Sequence, residues 1–83
     1  MKLEVRYFAS LREALGPGET VVLAEPLTVG ALRERLVARG GRHAEALGRG
    51  RALRCALDRA MVDESAPLSD GAEVAFFPPV TGG

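Results

Sequence analysis

The residues best placed to do chemistry are the last ones, Phe76-Phe77-Pro78-Pro79-Val80-Thr81-Gly82-Gly83, with two glycines at the end. In this pattern the most reactive group offered to a partner is the terminal carboxylate of Gly83, which points to a protein that is consumed and recharged. Lacking a Cβ, Gly82 and Gly83 can lie extended in a channel too narrow for any other residue, with their backbone close to a bound ligand. The Pro78-Pro79 pair stiffens the approach, because each ring fixes φ and turns the preceding residue toward extended geometry. The six residues from Pro78 to Gly83, at about 3.3 Å each, span roughly 20 Å of another protein's channel.

The remaining candidates are chemically poorer. His43 stands among arginines with no second histidine and no cysteine at ligand spacing, so a solvated loop side chain is expected rather than a base or metal ligand. Cys55 is the only cysteine, which excludes an internal disulfide and a cysteine-based metal cage and fits a reducing cytoplasm. On an alternating strand it should face inward as a small hydrophobe. Asp58, Asp63 and Glu64 read as a solvated hairpin rather than an acid-base pair. There is no Gly-rich phosphate loop, and no metal site or bound cofactor is expected of this chain.

Eighty-three residues allow one domain, divided as a globular body over 1–77 and an extended tail over 78–83. Eleven basic residues balance eleven acidic ones, which gives no general attraction to nucleic acid or an anionic membrane. No apolar run approaches the roughly 18 residues of a membrane span, so a soluble cytoplasmic protein is expected. Six arginines between Arg39 and Arg59 form a local basic run with His43 as the nearby ring, and a solvated loop face is expected there.

Several elements must position the tail. Leu3, Val5 and Tyr7 alternate with Lys2, Glu4 and Arg6, the period of a half-buried strand. Ser10 to Glu13 reads S-x-x-E, a capping box for a short helix stopped by Gly16-Pro17. Glu19 to Glu25 predicts a second strand, and Thr28 caps a longer helix with Val29, Leu32, Leu36 and Val37 on its apolar side and Arg33, Glu34, Arg35 and Arg39 on the other. Gly40-Gly41 ends that helix, and Gly30 implies a close helix-to-sheet approach. A helical turn over His43 to Leu47, a strand with Leu53, Cys55 and Leu57 inward, a brief apolar return over Ala60 to Val62, a turn over Pro67 to Gly71 and a last strand over Ala72 to Phe77 complete the chain. This order suits an α+β fold: a mixed sheet of four to five strands with one main helix packed on one face, the first and last strands parallel at its centre. That arrangement resembles the ubiquitin-like β-grasp.

Three segments in register, Phe8 to Gly16, Pro67 to Gly71 and Pro78 to Gly83, make the whole chain resemble the small subunits of molybdopterin synthase. Asp58 and Ala72 depart from that family, which often has Asn and Asp there; both fall at predicted turns. The resemblance implies a sulfur carrier, inactive alone, whose Gly83 carboxylate is adenylated by an ATP-using, ubiquitin-activating-like adenylyltransferase and converted to a thiocarboxylate. The large synthase subunit would use that sulfur to build the dithiolene of molybdopterin from a cyclic pterin monophosphate, in molybdenum cofactor biosynthesis. Thr81 and Gly82 would thread the partner's channel, and Phe77, Pro78, Pro79 and Val80 would form an apolar docking anchor. Sulfur delivery for thiamin or tRNA thiolation, a ubiquitin-like protein modifier, and a plain interaction module with an incidental tail are the other readings of the same residues.

Overall fold

The computed structural model describes residues 1–79. Among them lie five strands, β1 Lys2–Tyr7, β2 Gly18–Val22, β3 Arg54–Leu57, β4 Ala60–Val62 and β5 Glu73–Phe77, and three helices, α1 Ser10–Leu15, α2 Val29–Val37 and α3 Gly41–Leu47. The strands form one mixed sheet in the order β2-β1-β5-β3-β4. β1 and β5 run parallel at its centre, with Val5 beside Val74 and Tyr7 beside Phe76, as the alternation and strand order predict.

One face of the sheet is closed. Leu3, Val5 and Tyr7 of β1, Val21 of β2, Cys55 of β3 and Val74 and Phe76 of β5 all point into it, and Val29, Leu32 and Leu36 of α2 pack against them. Fully burying each of these larger side chains stabilises the fold by about 1.5–3 kcal/mol. Thr28 caps α2 as its position predicts, its hydroxyl accepting from the Ala31 amide at 3.2 Å.

Four local expectations are corrected. The capping box does not form: α1 begins at Ser10 itself, behind Ala9 at φ 52, with no side-chain cap bond. The Phe8 amide is still committed to the Phe76 carbonyl at 3.2 Å, while the Phe8 carbonyl accepts from Leu11. The turn from strand to helix is therefore so tight that Ser10 falls inside the first helical turn. β2 ends at Val22 rather than Glu25, although Leu23 still exchanges a backbone bond with Met1. His43 lies on α3 rather than in a loop, and α3 includes the helical turn expected over His43 to Leu47. Gly30 does give close packing, but to Glu64: a Cβ there would stand 3.0–3.2 Å from Glu64 atoms, and the Gly30 amide donates to the Glu64 carbonyl at 2.9 Å.

The fifth correction matters most. Arg33, assigned by periodicity to the polar side of α2, is only 3% exposed. Its guanidinium donates to the carbonyls of Leu47 (2.6 Å), Gly48 (2.7 Å) and Arg51 (2.7 Å) and to the Glu64 carboxylate at 2.7 Å. Arg49 holds the other oxygen of Glu64 at 2.5 Å, so part of the arginine run is bonded rather than solvated. Arg33→Met keeps the aliphatic stem but leaves those three carbonyls without the guanidinium and Glu64 with Arg49 as its remaining arginine, and should destabilise the protein by about 3–5 kcal/mol. Urea unfolding measures this; a loss under about 1 kcal/mol would show that water replaces the guanidinium without penalty.

Candidate functional site

The central strand β5 delivers the chain to its end, and alternation along it divides two adjacent rings. Phe76 turns into the core, stacked near Tyr7 with centroids 6.5 Å apart. Phe77 turns to the other face of the sheet and stacks on Phe8 at 4.8 Å with the rings 8° from parallel. Phe8 is there because it directly follows β1, the parallel neighbour of β5. Beside this pair, Ala75 and Ala56 face each other across β5 and β3, and Met61 stands opposite Ala56 on β4. The two alanines form a low floor, while Met61 is 58% exposed. A concavity of about 330 Å³ results, with Arg6, Arg59 and Glu73 at its edge. Thus Phe77, expected in a docking anchor, is half-buried against Phe8 within a wider apolar patch that contains Phe8 and Met61.

Pro78 is half-buried and Pro79 exposed. Both border a groove of about 790 Å³ whose other walls include Ser10 and Glu13 of α1 and Arg42 and Glu45 of α3. Val80, Thr81, Gly82 and Gly83, the remaining predicted site residues, lie outside the described residues.

Periodicity missed a titratable cluster on the closed side. Glu19 of β2 accepts from the Tyr7 hydroxyl at 2.7 Å and from Arg39, and its Oε2 lies 3.0 Å from His43 Nε2. His43 is thus half-buried in a network, not solvated, and its ring also meets Tyr7 edge-on at 6.4 Å. Burial raises the Glu19 pKa, but hydrogen bonds from His43, Arg39 and Tyr7 outweigh it and bring the carboxyl from 4.5 down to about 2. Burial, then the hydrogen bond to Glu19, pushes the Tyr7 phenol far up. These groups bond one another. The signal in sequence was only the polar tip of an inward tyrosine, which must find a partner.

Cys55 is buried, its thiol 3.3 Å from the Val62 carbonyl, and burial with nearby Glu64 and Asp63 pushes its pKa up. Asp58, Asp63 and Glu64 do not act as one hairpin cluster. Asp58 accepts from the Glu73 amide at 2.9 Å, Asp63 from the Ser65 amide at 2.8 Å, and Glu64 from the two arginines.

A mixed sheet in this strand order, with α2 across one face, is the fold of the ubiquitin-like β-grasp proteins. Within that class the chain belongs to the ThiS family, which it matches over residues 5–83. It is 47% identical over 81 residues to the molybdopterin synthase sulfur carrier subunit of Escherichia coli (strain K12), covering 98% of this chain and 99% of that one. Among solved structures it is similar to a chain in the complex of subunits 1 and 2 of molybdopterin-converting factor from Helicobacter pylori 26695, with 28% identity, a TM-score of 0.70 and 100% of both chains covered. It is also similar to the H. volcanii small archaeal modifier protein 1, with 25% identity, a TM-score of 0.75 and 95% and 98% of the two chains covered.

Two outcomes follow from these groups. Because the folded Glu19 pKa is depressed, its contribution to stability is complete above its unfolded value of 4.5 and is lost as pH falls toward about 2. Urea midpoints of the wild type should therefore fall more steeply through that window than those of Glu19→Gln; parallel curves would remove the network's role. Cys55 should resist a water-soluble thiol reagent in the native protein and react fully on unfolding, whereas rapid native labelling would contradict its burial.

Proposed function

We propose that this chain is the sulfur carrier subunit of a molybdopterin synthase, with the Gly83 carboxylate as its working group. The observation that carries the reading is the match to the ThiS family through Gly83, with near full-length identity to a sulfur carrier subunit. An α-carboxyl with a pKa near 3.5 is anionic at neutral pH and resists nucleophilic attack. It must first become a mixed anhydride: a carboxylate oxygen attacks the α-phosphorus of ATP, pyrophosphate leaves, and an acyl-adenylate remains. A protein persulfide then attacks the acyl carbon and displaces AMP, and a second thiol cleaves the S–S bond of the resulting acyl persulfide, leaving the thiocarboxylate on Gly83 and a disulfide on the donor. ATP and the catalytic groups belong to an activating adenylyltransferase, so this chain works as a non-catalytic subunit in the cytoplasm, where ATP and a reduced Cys55 coexist.

The folded body serves as a handle. On this reading Phe77, with Phe8 and Met61, docks the large synthase subunit, Pro78, Pro79 and Val80 stiffen the approach, and Thr81 and Gly82 pass through a channel that admits no bulkier backbone. A basic pocket on the partner holds the terminal anion by charge-assisted hydrogen bonds. The large subunit uses the sulfur to build the dithiolene from the cyclic pterin monophosphate, and the spent carboxylate returns for recharging. The likeness to a small archaeal modifier protein favours a second reading, conjugation of the activated Gly83 acyl group to lysine amines.

Intact-mass analysis after incubation with ATP, a sulfur donor and the activating enzyme distinguishes the two. Exchange of one oxygen for sulfur at Gly83 is the expected result, and deleting Gly83 should abolish it while the fold survives. High-mass isopeptide adducts would support the modifier, and sulfur donation by the truncated chain would overturn the assignment.

A further inference from the structure

The rim of the Phe8–Phe77 patch carries an arginine where the backbone favours another residue. Asp58 and Arg59 form the two-residue turn between β3 and β4, both in the left-handed region, at φ 48 and 71. Such turns favour Asn-Gly or Asp-Gly, because glycine takes a positive φ without steric penalty. Asp58 has a local reason to be there: its backbone amide donates to the Glu73 carbonyl and its carboxylate accepts from the Glu73 amide, both at 2.9 Å. Arg59 has none. Its side chain is 89% exposed, and its ion pair with Glu73 is long, at 3.8 Å. A strained, solvent-facing arginine beside an apolar patch calls for a reason outside the folded chain.

The surrounding charges point the same way. Arg6 stands 3.7 Å from the same Glu73 carboxylate, and Arg54, directly opposite Phe77 on β3, is exposed. Three guanidinium groups therefore flank the patch, with the one Glu73 carboxylate shared between Arg6 and Arg59. Asp58 is engaged with a backbone amide, and Glu4, further along β1, accepts from Thr20 at 3.0 Å. A second copy placed face to face would set arginines against arginines, which disfavours self-association. A nucleic acid would need open ring faces, whereas Phe8 and Phe77 cover one another.

We propose that Arg6, Arg54 and Arg59 form an electrostatic ring that selects and steers a partner surface carrying an apolar plug surrounded by carboxylates, with Arg59 held at the rim by the strained turn. The inference rests on the docking reading above and specifies the chemistry of the partner's face. The aromatic pair supplies the contact that persists in the complex, and the ring governs the rate of encounter and the choice of partner.

Stopped-flow association of the full chain with the large subunit of its own synthase, across a range of salt concentrations, tests it. The double variant Arg54→Ala/Arg59→Ala should associate about 3- to 10-fold more slowly at low salt, with a flatter salt dependence and a nearly unchanged dissociation rate. Phe77→Ala should instead speed dissociation. Arg59→Gly should raise the thermal midpoint by relaxing the turn and still slow association. Wild-type association and salt dependence in the double variant, beside a weakened Phe77→Ala, would overturn the ring and leave docking intact. No effect of Phe77→Ala would sink the docking reading and this inference with it. Tight binding of a single-stranded oligonucleotide by the wild type, lost in the double variant, would likewise overturn an acidic protein partner.

Discussion

Arg33 is the constraint on which the remaining geometry depends. Its single guanidinium joins three parts of the chain that share no strand: helix α2, the end of α3 and the segment after it at Leu47, Gly48 and Arg51, and Glu64 beyond β4. The latter two flank the β3–β4 hairpin, so one side chain fixes where that hairpin enters and leaves. β3 in turn is the antiparallel neighbour of β5, with Arg54 opposite Phe77. A buried charge is tolerable only when its donors are used, and here four good acceptors surround the fork-shaped head. Lysine would keep the charge but could not meet acceptors in that planar spread.

Around this anchor the sheet has unequal faces. The inner face is sealed by α2 and by the network in which Glu19 joins Tyr7, Arg39 and His43. The outer face carries no helix among the described residues, and its centre is lined by Phe8, Ala56, Met61, Ala75 and Phe77. Parallel pairing of β1 with β5 generates this inequality at the aromatic pair. It brings Phe8 and Phe77 to the same end of neighbouring strands, where a stacked pair covers part of each ring and leaves the rest outward. Stacking also limits the rotamers of Phe77, so the docking proposed there would cost it less freedom.

Strand alternation made much of this legible. Lys2 to Tyr7 and Ala72 to Phe77 announced their inward residues correctly, because a sheet with one sealed face enforces a period of two. The Thr28 cap was likewise local and readable. What failed were residues whose partners lie far along the chain. Arg33 occupies a polar position by helical period, yet Glu64 is 31 residues away and its carbonyl acceptors carry no sequence signature. His43 has the sequence surroundings of a solvated side chain because its partner Glu19 lies 24 residues away on a strand. Ser10 failed for a different reason: its capping signature was sound, but the Phe8 amide was already held by β5. The apolar patch around Phe77 has no local signature, because Phe8 and Met61 join it only through the parallel register and the β3–β4 hairpin.

The reactive candidates within the described body are all engaged. Cys55 is buried with its thiol held protonated, and His43 and Tyr7 both meet Glu19. For a proposed carrier this inertness has a physical use. A proposed acyl-adenylate is an electrophile whose acyl carbon is attacked, with loss of AMP, by whatever exposed thiol or imidazole its own body brings near, at the high effective concentration of a tethered group. A body whose thiol is sealed and whose imidazole is hydrogen bonded lowers the rate of such self-reaction without any dedicated guard. The same sealing leaves the outer face, with its apolar area and arginines rather than reactive groups, as the surface proposed for recognition.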